Sequence, residues 1–367
     1  DVIDLSLGEP DFDTPMHIKE AAKKAIDDNY SHYTPVAGYL DLREAVCTKL
    51  KRDNNLDFKP EQIVISTGAK QSLANIILSV VDAGDEVIIP APFWVTYSEL
   101  VKIAGGVPVI VSTRLENGFK MTADELQQAI TPKTRLFLFS SPCNPSGAVY
   151  SRQELQQLAD VFEKHPHIYI ISDEIYEYIN FVGKHESIAS FDAIKEQVII
   201  VNGLSKGFAM TGYRLGYIAA PLEVARACEK IQGQFTSGTN AVTQRAAITA
   251  LTSDLTPTFE MTKEFARRRK RVLELISEIP GWNCSVPDGA FYVFPNVSAY
   301  FGTGDGEQRI ENADDLCMYL LNTAHVSTVT GRAFGTPECI RLSFANSLDK
   351  IEVAYGRIKE ALARLSK

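Results

Sequence analysis

Val198-Ile199-Ile200-Val201-Asn202-Gly203-Leu204-Ser205-Lys206 is the stretch whose reading decides the fold. Four β-branched apolar residues in succession suit a strand buried on both faces, the habit of parallel sheets. Polar residues and a lysine follow at once, where the strand would end. Outward from this segment the pattern repeats: residues 63–65, 86–89, 107–111, 136–139, 168–171 and 215–219 are short apolar runs separated by helical patterns. Two of the helices carry start signals. Thr122 and Glu125 form a capping box ahead of Leu126, Ala129 and Ile130, and Ser151 and Glu154 form another ahead of Leu155, Leu158, Ala159 and Phe162. Alternating elements of this kind predict an α/β fold, a mostly parallel seven-stranded central sheet flanked by helices.

The two ends differ from this centre. Thr14 and Pro15 are placed to cap and open an amphipathic helix bearing Ile18, Ala22, Ala25 and Ile26. Near the other end Pro280-Gly281 breaks a long helix, residues 290–294 read as a strand, and Ile351, Tyr355, Ile358, Leu362 and Leu365 stripe a last helix. These features predict a large domain over 37–280 and a smaller α/β domain built from both termini, 1–36 and 281–367.

Composition narrows the class. The chain has 367 residues, room for roughly two domains of ~150 residues. Its net charge of −9 argues against a nucleic-acid partner, which needs a basic face. The basic run 267–271 falls within a helical pattern and reads as a solvated face. Six scattered cysteines (47, 143, 228, 284, 317, 339) without a C-x-x-C pair suit a reducing, cytoplasmic setting and predict no metal site. No apolar run approaches the ~18 residues of a membrane span, and no signal peptide is visible. The chain opens on Asp1 rather than methionine, which leaves room for a missing amino-terminal stretch.

In a doubly wound sheet, ligands bind outside the carboxyl ends of the strands. Residues 63–65 lead into Ser66-Thr67-Gly68-Ala69-Lys70, and 136–139 into Ser140-Ser141-Pro142-Cys143-Asn144-Pro145. Residues 168–171 lead into Ser172-Asp173-Glu174-Ile175-Tyr176, and 198–201 into Lys206, with Arg214 eight residues beyond. One rim thus receives a lysine, a carboxylate, a phenol, an amide, an arginine and a helix start. Pyridoxal phosphate requires this set. Its aldehyde takes a lysine amine, and its pyridine nitrogen takes a buried carboxylate. Its phenolic oxygen takes donors such as Tyr176 and Asn144. Its phosphate takes a helix amino-terminus, here Gly68-Ala69, with an arginine, here Arg214.

Taken singly, each residue has a plainer reading. Asp173 could cap a helix, Tyr176 and Trp94 could be core aromatics, Arg341 could sit on an edge strand, and Lys70 could face solvent. Cys143 and Cys339 read as small apolar fillers. The glycines at 302, 304 and 306 follow no strand, so they form no dinucleotide fingerprint.

Together, and in order, the segments 7–15 (Leu-Gly-Glu-Pro-Asp-Phe-Asp-Thr-Pro), 33–38 (Tyr-Thr-Pro-Val-Ala-Gly), 141–145 (Ser-Pro-Cys-Asn-Pro), 172–176 (Ser-Asp-Glu-Ile-Tyr) and 205–214 (Ser-Lys-Gly-Phe-Ala-Met-Thr-Gly-Tyr-Arg) resemble the class I aminotransferases, pyridoxal-phosphate enzymes of fold type I. The similarity spans nearly the whole chain and is greatest to the bacterial and plastid aspartate aminotransferases, some of which also act on prephenate. The resemblance implies that Lys206 holds the cofactor covalently and then shuttles the substrate proton, that Asp173 pairs with the pyridinium, and that Tyr176 and Asn144 hold the phenolic oxygen. It implies Trp94 stacked on the ring, and Gly68, Ala69, Ser205 and Arg214 on the phosphate with Lys70 beside them. Tyr33 would reach the phosphate from the second subunit of a homodimer. Arg341 would clamp the substrate α-carboxylate bidentately, with Asn144 and the Gly8 backbone, and Lys70 would meet the side-chain carboxylate of aspartate. Several such enzymes carry a phosphate-binding serine where this chain has Gly203. The implied activity is ping-pong amino transfer between L-aspartate or L-glutamate and 2-oxo acids. The alternatives are another reaction on the same scaffold, such as β-elimination, and a cofactor-binding sensor without turnover.

Overall fold

The computed structural model describes residues 1–367. After a short β1 (Ile3–Asp4), the seven apolar runs become β2 (Ile63–Ser66), β3 (Glu86–Ala91), β4 (Val107–Ser112), β5 (Thr134–Ser140), β6 (Tyr169–Asp173), β7 (Val198–Gly203) and β8 (Gly216–Ala219). They form one sheet in the order β2-β8-β7-β6-β5-β3-β4, in which β8 alone runs against the others. Successive residues alternate between two cores. Ile65, Ile88, Phe137, Ile170 and Ile200 face one, and Val64, Val87, Leu136, Ile171, Ile199 and Val201 face the other. Both faces are covered, which is why these strands read as unbroken apolar runs. The exception is β4, an edge strand with Val107 and Ile110 exposed. The other edge strand, β2, is buried throughout beneath the helices Leu40–Lys49, Ala69–Val80 and Leu222–Phe235, so the exposure of β4 reflects thinner helix cover and not edge position alone.

The helices are α1 (Met16–Asp27), α2 (Leu40–Lys49), α3 (Ala69–Val80), α4 (Thr96–Ile103), α5 (Ala123–Ala129), α6 (Arg152–Phe162), α7 (Leu222–Phe235), α8 (Ala241–Thr252), α9 (Thr256–Ser277), α10 (Ala313–Tyr319) and α11 (Leu348–Leu362). Both capping boxes form: Thr122 and Ser151 accept from the N–H groups of Glu125 and Glu154, whose carboxylates reach back. No helix is long and apolar enough to cross a membrane.

The start of α1 departs from expectation. Pro15 occupies the N-cap position, no side chain caps the helix, and the Thr14 hydroxyl instead donates to the carbonyl of Ala209 at 2.6 Å. The better partner for that hydroxyl is the loop that carries Lys206, so the amino-terminal segment is tied across the molecule. Ile26, counted in the apolar stripe, is 64% exposed, whereas Ile18, Ala22 and Ala25 are buried.

Beyond α9 the chain builds a second body from β9 (Tyr292–Val293), the hairpin of β10 (Thr303–Gly304) and β11 (Arg309–Ile310), then β12 (Val326–Ser327), β13 (Val329–Thr330) and β14 (Ile340–Ser343). β13, β14 and β9 make an antiparallel sheet, and β12 pairs in parallel with β1. Phe265, Phe291, Tyr292, Ile351, Tyr355, Ile358 and Leu362 fill its core, against which Leu365 packs from beyond the end of α11. β1 therefore belongs with the carboxyl-terminal elements. α1 does not: it lies on α8 and sends Ile18 and Ala22 into a core of the large sheet. A division of the chain at residue 36 would part α1 from the core it packs on.

Candidate active site

Three neighbouring strands bring the chemistry together. In the sheet Ser140 pairs with Asp173 and Asp173 with Val201, so the residues just past β5, β6 and β7 open on one rim. A cavity of about 540 Å3 lies there, lined by Gly8, Ala69, Lys70, Trp94, Asn144, Asp173, Tyr176, Ser205, Lys206, Arg214 and Arg341. A larger hollow of about 740 Å3 lies elsewhere, around Lys59, Arg152, Lys184 and Glu196, with walls that mix acidic and basic side chains. Two expected residues stand outside the cavity lining. Gly68 backs it from behind Arg214, and Tyr33 is 98% exposed on the surface.

Asp173 is buried. One carboxylate oxygen accepts from the Tyr97 hydroxyl at 2.7 Å and the other from the Ile175 N–H at 3.2 Å. It forms no ion pair, and burial pushes its carboxyl up to about 6 despite those two hydrogen bonds. Lys206 donates to the Gly8 carbonyl, and burial lowers its ammonium to about 8 although Glu9 pulls the other way. An amine that deprotonates near neutrality is the state a carbonyl-attacking lysine needs.

At the end of β2 the turn into α3 is shaped by glycine. Gly68 has φ +85°, and a Cβ there would stand 2.4 Å from the Arg214 Nη2. The guanidinium therefore lies against bare backbone, held by Nη1 donating to the Thr211 carbonyl at 3.0 Å. Gly68 is also the N-cap of α3 and offers no side chain to its free N–H groups. An uncapped helix start facing a guanidinium is an anion cradle. Gly203 has no room for a side chain: its Cβ would be 2.7 Å from the Leu215 carbonyl oxygen.

The far wall comes from the second body. Arg341 on β14 donates from Nη1 to Asn144 Oδ1 at 2.9 Å and from Nη2 to the Ser6 carbonyl at 2.6 Å, while its Nε is buried without a partner. Its guanidinium lies 4.5 Å from the centre of the Tyr292 ring, and the Tyr292 hydroxyl is 2.8 Å from that of Tyr176. Lys70 is exposed at the cavity mouth with its ammonium 4.8 Å from the Trp94 ring centre.

Seven lining residues had no assigned role in the sequence reading (Leu7, Glu9, Tyr97, Ser140, Ile175, Thr211 and Tyr292), and two of them, Tyr97 and Tyr292, bond through their hydroxyls to side chains of predicted site residues. Following the run 86–89 past its end, as was done for four other strands, reaches Trp94 and then Tyr97. Tyr292 has no such signal, because it comes from the small sheet.

With this geometry in place, similarity to known proteins is informative. The family described as aminotransferase class I and II matches residues 1–358. The chain is 46% identical over 371 residues to a bifunctional aspartate aminotransferase and glutamate/aspartate-prephenate aminotransferase of Petunia hybrida, covering 99% of this chain and 77% of the relative. Among solved structures, the aspartate aminotransferase of Rhizobium meliloti superposes with a TM-score of 0.97 at 41% identity, covering 100% of this chain and 92% of that one. An aromatic aminotransferase of Pyrococcus horikoshii superposes with a TM-score of 0.93 at 40% identity, covering 99% and 96%. A match over almost the full length, with the same fold, makes this chain a member of the class I and II aminotransferase family.

Proposed function

We propose that the protein is a pyridoxal-phosphate-dependent aminotransferase exchanging amino groups between L-aspartate or L-glutamate and the 2-oxo acids oxaloacetate and 2-oxoglutarate, with prephenate a further candidate for the same anchors. One observation carries the reading: an ion-pair-free buried carboxylate, Asp173, and a lysine of lowered basicity, Lys206, open on one cavity.

The residues fit the cofactor. Asp173 has charge to spare for a protonated ring nitrogen, and the cradle of Gly68, Ala69 and Arg214, with Ser205 beside it, suits a phosphate. Ser140 Oγ and Arg341 Nε are buried polar atoms without partners, a sign of a site built to receive something polar. When bound, the cofactor supplies an electron sink for the substrate carbon. The chain does the rest. Asp173 would keep the ring nitrogen protonated, Tyr176 and Asn144 would hold the phenolic oxygen, and Trp94 would cover the ring. Arg341 would grip the α-carboxylate with the Gly8 backbone, and Lys206 would take up and hold the proton that leaves the substrate Cα. Lys70 stands at the mouth to meet a second carboxylate.

The exposed Tyr33 fits a role across a subunit boundary, so the working form is a homodimer with shared sites. The six free thiols suit a reducing compartment such as the cytoplasm.

The test is a titration of the cofactor-loaded protein with L-aspartate, without any oxo acid. A shift of the visible band to shorter wavelength, with one oxaloacetate released per site, is the expected result, and Lys206→Ala should abolish it. Response to another amino acid but not to aspartate would overturn the substrate. Failure to take up pyridoxal phosphate would overturn the reading.

A further inference from the structure

We propose that Tyr292 is a positioning residue that orients two working groups at once, its hydroxyl donating to Tyr176 and its ring seating the guanidinium of Arg341. The inference rests on the aminotransferase reading above and adds to it a link between the cofactor end of the site and the substrate end.

Tyr292 is fully buried on β9, which pairs with the strand that carries Arg341. The two tyrosine hydroxyls are 2.8 Å apart, and neither has another side-chain partner. A phenol carries one hydrogen. Tyr176 can aim its hydrogen into the cavity only when it accepts from Tyr292, so Tyr292 is the donor whenever Tyr176 serves an acceptor there. A hydroxyl that accepts one hydrogen bond becomes a stronger donor in the next, which sharpens Tyr176 for an acceptor in the cavity. The segment whose carbonyl accepts from Lys206 passes close over this pair. A Cβ at Gly8 would stand 3.0 Å from the Tyr292 hydroxyl, so glycine there keeps Tyr292 in place.

The ring has a separate task. The Arg341 guanidinium sits 4.5 Å from its centre, within the range of a cation–π contact. Asn144 and the Ser6 carbonyl hold the two terminal nitrogens. The ring supports the guanidinium from one face and thereby fixes the plane in which a carboxylate must approach. Hydroxyl and ring are separable by mutation: Tyr292→Phe removes the first, Tyr292→Leu removes both.

In the cofactor-loaded enzyme, Tyr292→Phe should raise the apparent pKa of the visible band. A weaker donor at Tyr176 leaves more negative charge on the phenolic oxygen, and the nearby proton is held more tightly. Its kcat should fall about 3- to 10-fold with KM for L-aspartate nearly unchanged. Tyr292→Leu should in addition weaken succinate binding to the cofactor-free protein about 3- to 30-fold by calorimetry, whereas Tyr292→Phe should bind succinate as the parent does. Thermal melting of each variant checks folding, and the near-isosteric phenylalanine keeps the test sound if the leucine variant unfolds. An unchanged band pKa in Tyr292→Phe, or parental succinate binding in a folded Tyr292→Leu, overturns the assignment. If the parent turns over aspartate while the variants match it, only Tyr292 is lost; if the parent takes up no cofactor, the underlying reading is lost.

Discussion

Asp173 and Glu174 are consecutive residues at the end of one strand, 3% and 1% exposed, and their surroundings are opposite. Glu174 turns into the protein, where Ser172 and Ser187 donate to one oxygen at 2.9 and 2.5 Å and the His185 ring lies 3.1 Å from the other. Against the cost of burial, that imidazole and those hydroxyls hold Glu174 below the usual carboxylate range, and Glu174 in return raises His185. Glu177 and the Lys49 ammonium form an ion pair alongside. The side chains of Glu174, Glu177 and His185 lie close enough to hold a metal ion, but lysine and histidine already provide the positive charge. Asp173 turns the other way, into the cavity, with a phenol and one N–H for company and no cation in ion-pair contact. Burial alone does not distinguish a working carboxylate from a structural one. Absence of neutralisation does, because the cost of the unpaired charge is recovered only when a cation arrives.

The widest separation of the two should come from Asp173→Asn. Amino transfer should fall by about 10³-fold or more, read as kcat/KM for L-aspartate. The cofactor-free protein should meanwhile become more stable at neutral pH. The folded carboxyl titrates near 6 rather than 3.8, so the folded state binds more protons between those values and loses stability as pH rises through them. The shift is worth about 3 kcal/mol at most. Allowing for the Ile175 N–H that an amide nitrogen cannot satisfy, a gain on the order of 1 to 3 kcal/mol should appear above pH 6 and vanish near pH 4 in denaturant titrations.

Glu174→Ala should do the reverse. Without that carboxylate the buried His185 ring loses the group that raises it and sheds its proton, and the Ser172 and Ser187 hydroxyls lose their acceptor. The cost in unfolding experiments should be about 2 to 4 kcal/mol, while kcat per folded molecule falls far less than in Asp173→Asn. Equal catalytic losses would erase the distinction between the two carboxylates.

The smallest effect concerns the mouth of the site. Lys70→Ala should raise KM for aspartate by about 10- to 100-fold, as for loss of a charged hydrogen bond, and leave alanine or an aromatic amino acid nearly unchanged. A uniform loss would give Lys70 to the cofactor or to the Trp94 face rather than to substrate choice.

Much of this was legible beforehand. Strands covered on both faces must be apolar throughout, so each stands out in the chain, and the residues after four of them led directly to Lys206, Asp173, Tyr176, Asn144 and Arg214. What was missed has physical reasons. Thr14 looked like a cap because local rules ignore distant carbonyls, and its hydroxyl found the one at Ala209. Ile26 fitted a helical stripe, yet nothing within this chain covers it. Tyr97 and Tyr292 matter only through contacts between elements far apart in sequence, Tyr97 with Asp173 and Tyr292 with Tyr176.

The sequence by itself determined the sheet, the order of its elements, the two capping boxes and the set of groups at the rim, because strand burial, helix starts and strand ends are read from residues close together in the chain. Only the tertiary structure decided that α1 packs on the large sheet, that Gly203 leaves no room for a side chain, and that Asp173 stands without a cation in ion-pair contact while Glu174 beside it has one. Each of these depends on the space and charge that remain once remote segments have closed on one another, and no local pattern encodes that remainder.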